Sequence, residues 1–378
     1  MSGDIVVYGA TGLVGGRVCA ALDAMEVPFA IAGRRKPELD RLAQLVGASG
    51  VHIAEADHHE ALVRAFSGAR VVVNCAGPLA EIGEYVLAAA LAAGTHYVDI
   101  GGDQAFMHTI FERYDSSARK ATRVVVPGCG LDCAIGDLAA AWAAAHVCEV
   151  RDASDLVRAT APPRIGEAKP LDEVAVSYVF DDLVLSPGSQ KAVFGNLHAR
   201  SLVWRRDRWE PIAAGAERRR VNVGPAFGGE RDVVSFPGCD VLSVPRHVDA
   251  RIVQTYLSTT RNQVAQTALR LLARALPYVP KRATDLLAPY QPDEHEYART
   301  RFVVIAQARR GFSAAQVAVR GADLYRTSAG IAAWVARALL TRTEGPIGMR
   351  AVSELFRPDM ALREVAAAVG LDVEPSFR

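Results

Sequence analysis

The sequence predicts an α/β protein in which a doubly wound parallel sheet is followed by a second domain of α+β type. Over residues 1–140, short β-rich runs alternate with helical stretches, which is the pattern of consecutive βαβ units. From residue 150 onward, alternating runs interspersed with proline, arginine and glycine indicate antiparallel strands. A length of 378 residues also fits two domains better than one.

The first domain, residues 1–140, is predicted to contain six strands with five helices between them. The run at 70–75 is continuously apolar, as expected of a strand that is buried on both faces of a parallel sheet. The predicted strands are 4–10, 29–33, 51–56, 70–75, 97–100 and 123–126, and the predicted helices are 12–25, 37–46, 59–66, 83–93 and 106–120.

The rest of the chain is predicted to form a substrate and dimerisation domain over 150–322 and a helical segment over 323–378. Strand patterns occur at 173–180, 201–204, 252–258 and 300–309, and the last of these pairs with 316–320 in a hairpin around Gly311. Amphipathic helices are predicted at 328–340 and within 352–369. We expect this C-terminal segment to pack back on the first domain.

Composition argues against several classes of protein. The 43 basic and 42 acidic residues leave a net charge of +1, too small an excess for a nucleic-acid-binding surface. Six cysteines without a C-x-x-C pair indicate reduced thiols in the cytoplasm, and the arginine- and alanine-rich composition is typical of GC-rich bacterial genomes. The N-terminus lacks a signal-peptide pattern, and Arg270 and Arg274 interrupt the apolar stretch 264–279, so no transmembrane span is expected. No spacing of His, Cys and carboxylate residues predicts a metal site.

A glycine-rich loop follows the first predicted strand and begins the first helix. Gly9 permits a tight turn, Gly12 lets backbone amides approach a pyrophosphate, and Gly15 permits close packing of helix on strand. The phosphates would lie at the helix N-terminus, where N–H groups and the helix dipole favour an anion. We therefore predict a Rossmann dinucleotide site whose loop residues are Gly9, Thr11, Gly12, Leu13, Val14 and Gly15.

The end of the second predicted strand selects the cofactor. NAD sites usually have Asp or Glu at this point, whereas this chain has Arg34, Arg35 and Lys36. Because arginine can bind a 2′-phosphate through two hydrogen bonds, NADP(H) is the predicted cofactor, held by Arg34 and Arg35. Asp57, at the end of the third strand, is either a ligand of the adenine amine or the N-cap of the next helix.

Small residues follow the fourth predicted strand. Ligands of open α/β sheets bind at the carboxyl ends of the strands. Cys75, Ala76, Gly77 and Pro78, which come directly after Asn74, are therefore predicted to pass close to the nicotinamide ribose. The alternative is a tight turn without a ligand.

With these motifs in place, the chain resembles the saccharopine dehydrogenase-like reductases, a group that includes the trans-acting enoyl reductases. The resemblance covers roughly the first 140 residues. It rests on the glycine-rich loop, on 74–78, on the run AGTHYVDIGGD at 93–103 and on PGCGLDCAIGDL at 127–138. Asp103 replaces a usual glutamate. Asp132 and Asp137 match the family pattern, and the departures from it are Leu131, Cys133, Ile135 and Gly136.

The resemblance implies an NADPH-dependent reductase that transfers hydride to a C=N or C=C bond of a small-molecule or acyl substrate. It also implies that the second domain covers the nicotinamide. Hydride transfer needs a proton donor, and the candidates are Asp103, Tyr85 and Asp132, with Asp137 and Tyr97 as further acids. Each aspartate could instead cap a helix, and this alternative is open.

Two other functions compete with this interpretation. Cys129 could be the nucleophile of a semialdehyde dehydrogenase-like enzyme, with His198 or His247 as its base. A non-catalytic sensor of NADP(H) is the second alternative. No tyrosine is followed four residues later by lysine, which weakens a third function, that of a short-chain dehydrogenase. The sequence is compatible with a homodimer and leaves the oligomeric state open.

Overall fold

The chain divides into two compact units, which differ in part from the predicted domains. The computed structural model describes residues 4–150, 164–198, 201–259, 271 and 290–377. The first unit comprises Met1–Leu131 and Tyr325–Leu355, and the second comprises Asp132–Leu324 and Phe356–Arg378. The predicted segment 323–378 is therefore shared between the two units.

The first unit contains a seven-stranded sheet with the order β15-β6-β5-β4-β1-β2-β3. All six neighbouring pairs are parallel, so the predicted doubly wound sheet is confirmed. Its strands are β1 Ile5–Tyr8, β2 Phe29–Gly33, β3 Val51–Ile53, β4 Val71–Asn74, β5 His96–Asp99, β6 Val124–Val126 and β15 Gly348–Met349. Its helices are α1 Leu13–Ala24, α2 Lys36–Val46, α3 His59–Phe66, α4 Leu79–Ala92, α5 Gln104–Lys120 and α10 Leu324–Leu340.

The central strands form the core of this unit because they are apolar along their whole length. Every residue of β1, β2 and β4 is buried, as expected where helices cover both faces of a parallel sheet. Helix α4 begins at Leu79, earlier than the predicted start at Gly83. Pro78 lies at its N-cap, and Gly83 is a packing position, since a Cβ there would lie 2.5 Å from the ring of Phe106.

The second unit contains a nine-stranded mixed sheet with the order β10-β11-β12-β7-β13-β14-β16, to which β8 and β9 are added through β12. Strands β12 and β7 are parallel, and the other pairs are antiparallel. The strands are β7 Glu173–Asp181, β8 Ser201–Arg205, β9 Arg208–Ile212, β10 Arg218–Gly224, β11 Gly229–Ser235, β12 Ile252–Ser258, β13 Arg301–Arg310, β14 Ser313–Ala322 and β16 Asp372–Phe377. The described helices are α6 Gly136–Val147, α7 Pro187–His198, α8 Asp240–His247, α9 Glu294–Tyr297 and α11 Pro358–Val369.

Helix α6 packs on one face of this sheet and explains why the C-terminal segment is divided. A Cβ at Gly136 would lie 2.3 Å from the hydroxyl of Tyr178 and 2.8 Å from Val176, so the helix contacts β7 through a glycine. Helix α11 also packs on α6, where Arg363 lies 4.8 Å from the ring of Trp142. Burial of its apolar face there keeps α11 in the second unit, whereas β15 pairs with β6 in the first.

The predicted hairpin around Gly311 is confirmed, with Arg301 paired to Ala322 and Arg310 to Ser313, and its second strand extends beyond the predicted 316–320 at both ends. No helix within the described ranges is long and apolar enough to cross a membrane. Of the apolar stretch 264–279, only Leu271 belongs to the described residues.

Removal of Arg231 is expected to destabilise the second unit. Its guanidinium lies 3.1 Å from the carboxylate of Asp181, and both side chains are buried. Arg231→Ala would leave a buried carboxylate without this cation, so we expect the free energy of unfolding to fall by about 3 kcal/mol. Chemical denaturation measures this change. Arg208→Ala, which removes the exposed ion pair with Glu210, should cost less than about 1 kcal/mol, and equal losses would contradict the assignment.

Candidate functional site

The loop after β1 approaches two neighbouring segments too closely for side chains. Gly9 has a φ of +77°, and a Cβ there would lie 2.6 Å from the backbone nitrogen of Ala76. A Cβ at Gly15 would lie 2.3 Å from the carbonyl oxygen of Gly9. The loop is therefore pressed between the start of α1 and the segment after β4, as the glycine pattern predicts for a pyrophosphate loop.

The N-terminus of α1 is suited to an anion. Gly12 is its N-cap in an extended conformation, no side chain caps the helix, and the first turn contains no acidic residue. The first N–H groups of a helix have no intrahelical partner, and the dipole places partial positive charge there. Thr11, Leu13 and Val14 are half-buried beside this N-terminus. Backbone N–H groups are thus available to a phosphate at the predicted place.

The cations after β2 differ in their partners. Arg35 pairs with Glu38 at 3.5 Å, and Lys36 pairs with Asp40 at 2.6 Å, in both cases with a carboxylate of α2. Arg34 is exposed and forms no ion pair with any described residue. The ion pairs offset the unfavourable placement of two cations at a helix N-terminus. Arg34 therefore remains as the cation that is available to a ligand.

The charges of Arg34 and Asp57 both reach the buried hydroxyl group of Tyr8. Its hydroxyl donates to the carbonyl of Ala54 at 3.3 Å. Burial raises the pKa of this hydroxyl to about 12, Arg34 lowers it, and Asp57 and Glu55 raise it. The charges that follow β2 and β3 therefore both act on the same buried phenol at the end of β1.

Asp57 does not cap helix α3. The N-cap is His58, and no side chain caps this N-terminus. The carboxylate of Asp57 is exposed to solvent. The capping alternative is therefore wrong, and the carboxylate is available as an acceptor.

A buried polar network holds the segment that follows β4. The side-chain amide of Asn74 donates to the hydroxyl of Tyr97 at 3.0 Å and accepts from the backbone N–H of Ala76 at 3.0 Å. The N–H of Cys75 donates to the carbonyl of Tyr8 at 2.8 Å. Gly77 and Pro78 are exposed beyond these bonds. The segment predicted to pass the nicotinamide ribose is thus fixed by internal hydrogen bonds.

Asp99 extends this network to the loops after β5 and β6. Its buried carboxylate accepts from the N–H groups of Gly101 at 3.1 Å and Gly128 at 2.9 Å. Burial and the charge of Asp99 raise the pKa of Tyr97 far above its ordinary range, so Tyr97 stays neutral. Sequence reasoning did not assign this positioning role to Asn74, Tyr97 or Asp99. The signal was available, because each ends or interrupts an apolar strand with a polar side chain.

The predicted proton donors lie on different elements of the fold and in different surroundings. Asp103 caps α5 by accepting from the N–H of Phe106 at 2.9 Å, and Tyr85 lies on α4 with 54% of its surface exposed. Asp132 lies in a π-helical turn, Leu131–Ile135, directly before α6. Its side chain keeps contact with solvent, but the protein atoms packed around the carboxyl group desolvate it and raise its pKa to about 6. Asp137 is buried and lies 2.7 Å from Nε2 of His247.

Cys129 is fully buried and packed as a structural residue. Its thiol donates to the carbonyl of Val126 at 3.5 Å, and its N–H donates to the carbonyl of Asp99 at 2.7 Å. None of the six cysteines forms a disulfide. Within the described part of the chain, no group of three His, Cys, Asp or Glu side chains could hold a metal ion.

Two adjacent glycines allow a matched test of the loop geometry. A Cβ at Gly15 would lie 2.3 Å from the oxygen of Gly9, whereas a Cβ at Gly16 would meet the oxygen of Ala10 at an ordinary 3.6 Å. Gly15→Ala should weaken NADPH binding by at least about tenfold, because the phosphate loop must move away from α1. Gly16→Ala should bind as the parent does. Titration by cofactor fluorescence measures both, and equal effects would contradict the close approach.

Comparisons with known proteins agree with this geometry. The family model for the saccharopine dehydrogenase NADP binding domain matches residues 5–126. A Caenorhabditis elegans protein named lipid droplet localized protein is 32% identical over 147 residues, which cover 36% of this chain and 34% of that protein. A trans-acting enoyl reductase from Mycobacterium ulcerans is 31% identical over 142 residues, with the same two shares. The chain thus matches about a third of the length of these relatives.

The fold comparison extends over the whole chain. Saccharopine dehydrogenase (L-Glu forming) from Saccharomyces cerevisiae superposes with a TM-score of 0.64 over 99% of each chain, at 13% identity. At that identity the match shows a shared fold. Residues 5–126 match the saccharopine dehydrogenase NADP-binding domain, and over this part the chain is similar to the trans-acting enoyl reductase of Mycobacterium ulcerans.

Proposed function

We propose that the chain is an NADPH-dependent reductase that transfers hydride to a C=N or C=C bond of a small-molecule or acyl substrate. One observation carries the choice of NADPH. Arg34 is the exposed cation at the end of β2 that no described carboxylate neutralises. The 2′-phosphate distinguishes NADPH from NADH, and arginine is its preferred partner.

The described residues fit this cofactor along the carboxyl edge of the first sheet. The first N–H groups of α1 would hold the pyrophosphate, and the glycines leave the space that it needs. Arg34 would hold the 2′-phosphate, with Arg35 beside it, and Asp57 would accept from the adenine amine. The backbone of 75–78 would lie along the nicotinamide ribose. Bound NADPH supplies the hydride.

We further propose that Asp132 supplies the proton. It follows β6 by six residues, and its carboxyl group is exposed. Its raised pKa, about 6, keeps part of the population protonated near neutral pH. Asp103 is bound as a helix cap, and Tyr85 is exposed on the surface of α4. We therefore place Asp132 ahead of these two candidates on its position after β6 and on its raised pKa.

The enoyl reductase named among the relatives and the saccharopine dehydrogenase fold support the two substrate classes, C=C and C=N respectively. The buried Cys129 gives no support to a thioester route. We place the enzyme in the bacterial cytoplasm, which the reduced cysteines support. It would act on a small-molecule or carrier-linked substrate, as a monomer or a homodimer.

Arg34→Ala is expected to reduce the preference of the protein for NADPH over NADH. Loss of a charge-assisted contact to the 2′-phosphate should weaken NADPH binding by roughly tenfold to a hundredfold and leave NADH binding unchanged. Isothermal titration with each cofactor measures both affinities. Arg35→Ala is the matched control, because Arg35 already pairs with Glu38, and it should have a smaller effect. An unchanged NADPH affinity in Arg34→Ala would refute the assignment.

Asp132→Asn should remove the decrease of kcat/KM at high pH. A general acid with a pKa of about 6 is protonated below that pH. We therefore expect kcat/KM of the parent to fall about tenfold per pH unit above pH ~6. The measurement is NADPH oxidation with a panel of imines and enoyl thioesters. Asp132→Asn should lower kcat about a hundredfold and lose this limb, whereas Asp103→Asn should keep it. A limb that persists in Asp132→Asn would exclude this role.

A further inference from the structure

Basic residues gather at the amino edge of the first sheet, opposite to the edge that carries the cofactor loops. Arg70 directly precedes β4, His96 begins β5, and Arg123 directly precedes β6. The N–H of His96 donates to the carbonyl of Arg70 at 2.8 Å, and the N–H of Val124 donates to Nδ1 of His96 at 3.0 Å. Adjacent parallel strands thus place these three residues side by side.

Two further arginines reach the same edge from the segment around β15. Arg350 directs its guanidinium back to the carbonyl of Ile347, at 2.8 Å and 3.1 Å, and pairs with Glu354 at 2.8 Å. Arg342 donates to the carbonyl of Leu355 at 3.2 Å through Nη1, while its Nη2 is buried without a partner among the described residues. We call Arg70, Arg123, Arg342 and Arg350 the arginine cluster.

The charges of this cluster act on one another. Burial, and then Arg123, Arg70 and Arg342 in that order, lower the pKa of His96 to about 4. Burial and then Arg350 lower the pKa of Arg342. A cation lowers the pKa of a neighbouring base only when its field reaches that base. Arg70, Arg123 and Arg342 therefore lie near His96, and Arg350 lies near Arg342.

One carboxylate balances the four guanidinium groups. Glu354 pairs with Arg350, and no described carboxylate pairs with Arg70, Arg123 or Arg342. Asp4 lies beside Arg70 through a backbone bond of 2.8 Å, yet the two side chains form no ion pair. Carbonyl groups satisfy hydrogen bonds of Arg123 and Arg342 but leave their charge uncompensated. The positive charges of the cluster therefore repel one another, and a bound anion would reduce this repulsion.

The imidazole of His96 adds a further hydrogen-bond donor to the guanidinium groups of the arginine cluster. Because Nδ1 accepts from Val124, the proton of the neutral ring is on Nε2, which is then a donor. A neutral imidazole N–H beside arginine forks is complementary to an oxyanion with several charges, and arginine binds phosphate through two parallel hydrogen bonds. We propose that the arginine cluster and His96 form a second anion site, separate from the cofactor site, for a small phosphate-bearing molecule.

The ionisation of His96 reports directly on this site, with or without activity of the enzyme. A multivalent anion offsets the field of the arginines, so it should raise the pKa of His96 towards its ordinary value. NMR titration of the histidine ring signals, with the His96 signal identified through His96→Gln, measures this pKa. The probe is inorganic pyrophosphate, compared with sodium chloride at equal ionic strength. Each titration is run with and without saturating NADPH, because the cofactor site also binds phosphate.

We expect pyrophosphate to raise the pKa of His96 by about one unit or more in a saturable manner, also when NADPH is bound. Arg70→Gln should weaken this binding at least about tenfold. The fold should tolerate this change, because the Arg70 side chain is exposed and forms no ion pair with a described residue. Arg342→Gln should weaken it as well, and Arg337→Gln, an exposed position on α10, should not.

An equal effect of pyrophosphate and chloride would reduce the result to general screening and overturn the proposal. An effect that NADPH abolishes would assign pyrophosphate to the cofactor site and overturn it too. A failure of NADPH itself to bind would contradict the proposed reductase and leave the pyrophosphate titration of His96 as a separate test.

Discussion

The cofactor site depends on how closely main chains approach at the carboxyl edge of the first sheet. A single methyl group at Gly9 would lie 2.6 Å from the nitrogen of Ala76, and one at Gly15 would lie 2.3 Å from the oxygen of Gly9. No ordinary side chain fits at either position. This contact brings the N-terminus of α1, the loop after β1 and the segment after β4 together, so one linear ligand can touch all three. The free N–H groups of the helix then face the same edge as the residues proposed to lie along the nicotinamide ribose.

Buried hydrogen bonds keep that edge in place before any ligand binds. Asn74 holds the segment after β4, and Asp99 ties the loops after β5 and β6 to the same network. A buried carboxylate that accepts several N–H groups is stabilised without a cation. The cations of this unit are therefore not needed to balance the charge of Asp99. Arg34 is then available at the cofactor edge, and the arginine cluster lies at the amino edge. The two edges of one sheet thus have different electrostatic roles.

The fold of the first unit could be predicted because its strands are apolar runs of fixed spacing, punctuated by glycine. The glycine loop, the cationic end of β2 and the small residues after β4 were predictable for the same reason. Sequence alone treated Arg34 and Arg35 alike, since their difference depends on Glu38 in the next turn of α2. It left open whether Asp57 is a ligand or a helix cap, which only the backbone at His58 could decide.

The second unit was harder to predict from the sequence. Strands β10 and β11 lie towards one edge of its sheet and have charged, exposed faces, and α6 begins in a π-helical turn that no capping residue marks. The division of the C-terminal segment depends on tertiary packing on α6, which has no local signal.

Binding of the 2′-phosphate beside Arg34 is the central claim, and phosphorus NMR of bound NADP⁺ tests it most directly. A free phosphate monoester has a second pKa of about 6. Bound beside an unneutralised guanidinium, the dianion is favoured, so the 2′-phosphate signal should show a pKa lowered by about one unit or more. A 2′-phosphate that titrates in the complex as it does in free NADP⁺ would show that no cation holds it, and would contradict the account.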